Sequence, residues 1–321
     1  MPALLLLASG LLLAVAAPIR PAETARISAP AFGSQAEIEV RGLIKSEADA
    51  ALREAVGEID AVAQATDPSA PGSAIAALNA AAGAGPRAVE PSLLQLLSRS
   101  LDFCVWSEGA HGPLGRELYR LWGLRSPAAS LPSEDALKPA VAASACSGLH
   151  YDLSKKTATL AAGAGIDLWG FAEGEAVDRA IEALKRHKAP TGFVQLAGIR
   201  RGFGGGPSGH GWRVLLPVFE GLDQSLGEIW LRDQSLAVAS SEQRSLRIGG
   251  DTFPPYLNQR TGKPPQGVLA ALSSSELAVD AEALAATAII LSPHEMQLRA
   301  GSLRPAPAIL WVLGTGQGAP L

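Results

Sequence analysis

Residues 165–184 read GIDLWGFAEGEAVDRAIEAL. A short apolar run turns through Gly170 and Gly174 and enters a helix-patterned segment. Ala176, Val177, Ala180, Ile181 and Leu184 recur at helical spacing and make one apolar face. Glycines between an apolar run and a helix start let the backbone come close to another group. A helix N-terminus offers free N–H groups and the positive end of a dipole, which suits a phosphate. The same pattern also describes a tight loop-to-helix connection that holds no ligand.

Outward from this stretch the chain mixes helix and strand patterns. Towards the N-terminus, residues 27–40 alternate as strands broken at Phe32-Gly33-Ser34. A helix is expected from an N-cap at Ser46 to about Ala65, with Ala48, Leu52, Val56, Ile59 and Val62 as its apolar stripe. Further helices are expected at residues 73–79, from Ser92 through Leu101, and at 133–141. Tyr119 and Trp122 read as core aromatics. Residues 151–162 form a hairpin pattern with a turn at Ser154-Lys155-Lys156. Towards the C-terminus come a strand at 192–197, a glycine loop at 202–211 and paired strands at 212–217 and 228–240. The loop lacks the GK[ST] ending of a nucleotide cradle. An irregular loop at 254–267, a helix at 279–291 and a strand at 308–313 complete the pattern.

Composition narrows the function. The chain has 321 residues, 47% of them hydrophobic and 18% charged, with a formal net charge of −4. No basic stripe is present, so nucleic-acid binding is not indicated. The apolar run from Ala3 to Val15 is too short for an ordinary membrane span and has the length of a signal-peptide core. Small residues at Ala14-Val15-Ala16 suit cleavage before Ala17, although the usual basic n-region is missing. An exported protein of the periplasm or cell envelope is therefore expected, with residues 1–25 as signal peptide and linker and 26–321 as the working domain. No cysteine follows the leader to take a lipid anchor. Cys104 and Cys146 belong to no metal motif and read as two buried free thiols, with pairing as the alternative in an exported protein. The histidines at 111, 150, 187, 210 and 294 show no metal-ligand spacing.

Several segments, in order, resemble the ApbE family, the FAD:protein FMN transferases of bacterial envelopes. The family's entry Met-Gly-Thr is similar to Phe32-Gly33-Ser34, and its S-E-x-S-R-L-N to residues 73–79. Its G-A-F-D-P-T…L-W-G segment aligns on residues 109–123 and its D-L-G-G-I-A-K-G-Y-A-V-D on 167–178. N-L-G-G-D, A-T-S-G, H-I-x-D-P-R-T-G-x-P and A-D-A-L-x-T-A are similar to residues 195–199, 239–242, 255–264 and 282–288. The resemblance implies an α+β, T-fold-like single domain with an antiparallel sheet and packed helices. It also implies FAD as substrate and a magnesium ion at the pyrophosphate. FMN would pass to a Thr or Ser hydroxyl of a target protein, with release of AMP. On that pattern Phe32, Ala110, His111, Gly112, Asp167, Glu173 and Tyr256 would contact the flavin nucleotide, and Gly170, Glu282 and Thr287 would hold the metal.

The chain departs from the pattern at chemically important positions. His111-Gly112 replaces a Phe-Asp pair, Glu173 a lysine, Pro255 a histidine and Asn258 an aspartate. Four residues before Thr287, where the metal helix calls for an aspartate, stands Ala283. A glutamate in place of a lysine repels a pyrophosphate. These departures support an alternative: a protein that keeps the fold and a flavin pocket but performs no transfer, acting as an exported binding or accessory protein.

Overall fold

The computed structural model describes residues 23–125, 128, 130–219, 226–241 and 245–313, so the segment read above as a signal peptide lies outside the described residues. The chain opens with a hairpin of β1 (Glu23–Ala31) and β2 (Ser34–Leu43), followed by helix α1 (Lys45–Thr66). Strand β1 thus begins inside the stretch read as linker. Helix α1 starts one residue before Ser46, and its N-cap Ile44 makes no side-chain cap. Next come α2 (Ala74–Ala80), β3 (Arg87–Ala88), α3 (Pro91–Trp106), α4 (Arg116–Trp122) and α5 (Glu134–Ala143). Ser73 and Ser133 cap α2 and α5 by accepting from Ala76 and Ala136 N–H. Strands β4 (Leu149–Asp152) and β5 (Thr157–Leu160) precede α6 (Ala172–Arg186). Six strands follow: β6 (Thr191–Leu196), β7 (Ile199–Phe203), β8 (Trp212–Leu215), β9 (Glu228–Leu231), β10 (Gln234–Ser240) and β11 (Leu246–Ile248). The chain ends through β12 (Asp251–Phe253), β13 (Val268–Ser275), α7 (Ala278–Ile290), α8 (Pro293–Ala300) and β14 (Ala308–Leu313).

Among the described residues the main sheet has seven antiparallel strands in the order β1-β2-β6-β7-β10-β13-β14. One face is covered by α1, α6 and α7. Their small and branched residues (Ala48, Leu52, Ile59, Ala180, Ile181 and Ala285 among them) meet Ile38, Val40, Val194 and Leu196 of the sheet in the largest core cluster. The apolar stripe expected for α1 is this buried face, with Val56 packed at its margin. On the other face, Trp212, Val214 and Leu231 of the β8–β9 ribbon pack against Leu236, Val238 and Leu272. A small sheet, β3-β5-β4, packs with α2 and α3 around Ile75, Leu94, Leu97 and Leu149.

Two sequence expectations change. Residues 228–240 are two strands in different sheets, because the chain turns at Asp233, whose φ is 55°. Aspartate tolerates this left-handed conformation, and alternation on both sides conceals the break. Cys104 and Cys146 are joined in a disulfide rather than left as free thiols. The sequence holds no information on their separation, which the fold closes by setting the end of α3 beside the turn before β4.

Candidate flavin-nucleotide site

Pairing of β2 with β6 sets Ala36 opposite Leu196, which brings the β1–β2 and β6–β7 turns to the same end of the sheet. Between these turns and the helices lies a cavity of about 410 Å³. Phe32 and Gly33 line it from the first turn, and Ala197, Gly198 and Ile199 from the second. Residues 168–170 and the first residues of α6, Ala172 and Glu173, make another wall. Glu282, Ala285 and Ala286 of α7 face it, as do Ala237–Ala239 of β10. Asp67, Arg125, Pro255 and Tyr256 close the rim from loops. Phe32, Ala197 and Gly170 all have positive φ, 52°, 49° and 85°. Two side chains held in a conformation that normally favours glycine mark this rim as over-determined backbone, a feature that concentrates at binding sites.

The helix start that opens the cavity wall is already partnered. Glu282 of α7 accepts a 2.7 Å hydrogen bond from Gly174 N–H near the start of α6. Asp178 of α6 in return accepts from Ala278 and Val279 N–H at the start of α7, at 2.8 and 3.0 Å, and from Arg201 at 2.6 Å. Each helix thus supplies the carboxylate that caps the other. Burial pushes the Asp178 carboxyl up to about 6 against the pull of Arg201 and the two amides. Gly174 permits the crossing: a Cβ there would lie 2.6 Å from the Ala278 carbonyl oxygen and the Val279 Cα.

Of the residues named from the sequence, Phe32, Gly170, Glu173, Tyr256 and Glu282 line the cavity. Ala110, His111 and Gly112 are buried behind it. The His111 ring stacks on Phe171 at 4.7 Å and has the Gly170 backbone as its polar partner. It fills the side of Gly170 where a Cβ would stand 2.8 Å from its Nε2, and burial pulls its pKa down to about 4. Asp167 is fully buried one layer back. It accepts from Arg125 Nε at 2.7 Å, from Arg125 Nη2 and from Trp169 N–H at 3.1 Å. Arg125 itself reaches the cavity, lying 5.5 Å over the Trp169 ring. Arg125 and Asp67 carry no motif and are not identified from the sequence. Thr287 is buried and donates its hydroxyl to the Ala283 carbonyl within its own helix.

These donors do not make a magnesium site. Magnesium takes hard oxygen ligands in near-octahedral geometry, with carboxylates preferred. Thr287, which donates its hydroxyl proton to the Ala283 carbonyl, offers only a neutral oxygen, one Glu282 oxygen already accepts from the start of α6, and the buried Ala283 offers no oxygen from its side chain. Among the described residues no three His, Cys, Asp or Glu side chains gather in a metal-binding group.

A family model described as the ApbE family matches residues 32–310, nearly the whole of this fold. The chain belongs to the ApbE family. A curated relative from Treponema pallidum (strain Nichols), the FAD:protein FMN transferase, is 36% identical over 132 residues, 39% of this chain and 36% of the relative. Another of the same name from Rhodobacter capsulatus is 28% identical over 326 aligned positions, 97% of this chain and 60% of the relative. The chain therefore spans less than two thirds of the length of these relatives. Among solved structures, the ApbE protein of Thermotoga maritima superposes with a TM-score of 0.83 at 21% identity, over 91% of this chain and 94% of that one. The apo flavinyl transferase ApbE of Pseudomonas stutzeri gives 0.81 at 18% identity, over 94% of each. The α+β architecture is thus that of ApbE proteins.

Proposed function

We propose that this chain binds FAD in the cavity at the α6 and α7 N-termini and transfers its FMN moiety to a Thr or Ser hydroxyl of a target protein. In that reaction the hydroxyl oxygen forms a bond to the flavin-side phosphorus and gives up its proton to solvent, the P–O bond to the bridging oxygen breaks, and AMP leaves with that oxygen. The observation that carries this reading is convergence: the segments matching the family at Phe32, 168–173, 197–199, Tyr256 and Glu282 come from distant parts of the chain and line one cavity. Relatives named as FAD:protein FMN transferases support it. Positioning supplies much of the rate in phosphoryl transfer, and the over-determined rim serves that end.

A second reading, flavin binding without transfer, is favoured by the commitments of Glu282 and Thr287 described above and by the acids Asp67, Glu173 and Glu282 on the wall. The magnesium that the family resemblance implies has no matching donor set in these residues, so no step is derived through it. Incubating the purified chain with FAD and an acceptor protein that presents Thr and Ser hydroxyls, with and without added Mg²⁺, and following AMP by chromatography separates the two. Release of AMP is expected for the transferase. Saturable FAD binding without AMP under either condition would leave the binder.

We further propose export to the periplasm or envelope. The apolar leader and the Cys104–Cys146 disulfide, a bond that persists in oxidising compartments, support it. Any membrane contact would then come through the leader or through the target protein.

A further inference from the structure

Building on the flavin-cavity reading, we propose that the Cys104–Cys146 disulfide is the positioning element of the cavity's inner wall, so that its oxidation state sets ligand affinity. The link runs through direct packing. A Cβ on Gly112 would stand 2.5 Å from Cys104 Cβ and 2.7 Å from its Sγ, so this backbone rests on the disulfide with no side chain between. His111 precedes it, locked by Ser107, whose hydroxyl donates to the His111 carbonyl at 3.0 Å and accepts from its N–H at 3.1 Å. The His111 ring lies flat on Phe171 and fills the Cβ side of Gly170, a cavity residue. On the other side, Gln259 donates its side-chain amide to the Gly112 carbonyl at 2.8 Å and its N–H to the Ala110 carbonyl at 3.0 Å. That fastens the loop carrying Pro255 and Tyr256, which also line the cavity. One cystine therefore braces two walls, although neither cysteine touches the cavity.

Cys146 is partly buried and Cys104 fully buried, so a reductant would approach from the Cys146 side. An external dithiol delivers two electrons and two protons: the S–S bond breaks, two thiols form, and the dithiol leaves as a disulfide. Cys104 is then no longer fixed to Cys146, so the surface on which Gly112 rests can shift and the His111–Gly170 contact loosens.

The test compares FAD affinity for the oxidised chain, the dithiol-reduced chain and Cys146→Ala, each confirmed folded by circular dichroism. Cys146→Ala is the milder change, because it leaves the Cys104 sulfur against Gly112. Reduction and Cys146→Ala are each expected to weaken FAD binding by about fivefold or more. Reoxidation should restore the wild type alone. Val312→Ala, a truncation on the opposite sheet face, should lower the melting temperature and leave affinity unchanged, which separates positioning from general loss of stability. Equal affinity in oxidised and reduced folded protein would overturn the proposal. Hydrogen exchange gives a readout independent of flavin: reduction should speed exchange in both 107–115 and 168–173. Faster exchange in the first segment alone would overturn the proposal even if the oxidised chain binds no FAD, an outcome that would itself count against the flavin reading.

Discussion

At the scale of single residues, two side chains behind and on the cavity wall make distinct predictions. His111 is fully buried and stays neutral when folded, with its pKa near 4 instead of the ordinary 6.5. Above pH 6.5 folded and unfolded chains are both neutral at this residue, so its contribution is flat. Between 6.5 and 4 the unfolded chain takes up a proton that the folded chain refuses, so stability falls on acidification, by on the order of 3 kcal/mol across the window. His111→Phe keeps a ring on Phe171 and removes the titration. Urea midpoints at pH 5 and pH 8 should therefore lie closer together in the variant, and an unaltered gap would refute this assignment. Glu173 on the wall faces the same cavity as Asp67 and Glu282. Glu173→Lys should tighten FAD binding by roughly 1 kcal/mol or more, measured by titration at low salt. Unchanged affinity would mean that Glu173 does not face the pyrophosphate. Motif positions led from the sequence to Phe32, Gly170, Glu173, Tyr256 and Glu282 on the wall, but a motif does not say which side of a wall its residue occupies. Ala110, His111, Gly112, Asp167 and Thr287 lie behind it. Arg125 escaped notice because its place depends on Asp167, 42 residues away and visible only in the fold.

At the scale of elements, the crossing of α6 and α7 is the joint on which the cavity depends. Gly174 gives the closeness and the exchanged carboxylates Glu282 and Asp178 give the caps. Gly174→Ala places a methyl against the backbone of Ala278 and Val279, where no flexible side chain can yield. A loss of about 1–3 kcal/mol is expected by chemical denaturation, together with weaker FAD binding. An unchanged midpoint would show that the helices separate without penalty. The long helices were legible because apolar periodicity over many residues is a strong signal, as in the stripe of α1 and the buried face of α6. Short elements were harder. Strand β7 carries Arg200 and Arg201 in its middle, which disguises a central strand, and Arg201 is buried only because Asp178 receives it. Helix α8 did leave a signal: Ser292, then Pro293 at the first helical position and Glu295 two residues on, with the Ser292 hydroxyl accepting from Glu295 N–H.

At the scale of the whole molecule, an ApbE fold surrounds a cavity whose wall carries Asp67, Glu173 and Glu282 beside Arg125. Sheet, helices and strained turns meet at one end, while among the described residues no three His, Cys, Asp or Glu side chains gather there to hold a divalent ion. The architecture was readable from the order of segments; the reassignment of Glu282 and Thr287 was not, because a sequence does not reveal which hydrogen bonds a side chain already makes. The most direct measurement is a calorimetric titration of the oxidised chain with FAD, in metal-free buffer and again with Mg²⁺. Saturable one-to-one binding is predicted. Binding strengthened by the ion would favour transfer, and binding indifferent to it would favour the accessory binder. No binding in either buffer would contradict the flavin cavity altogether.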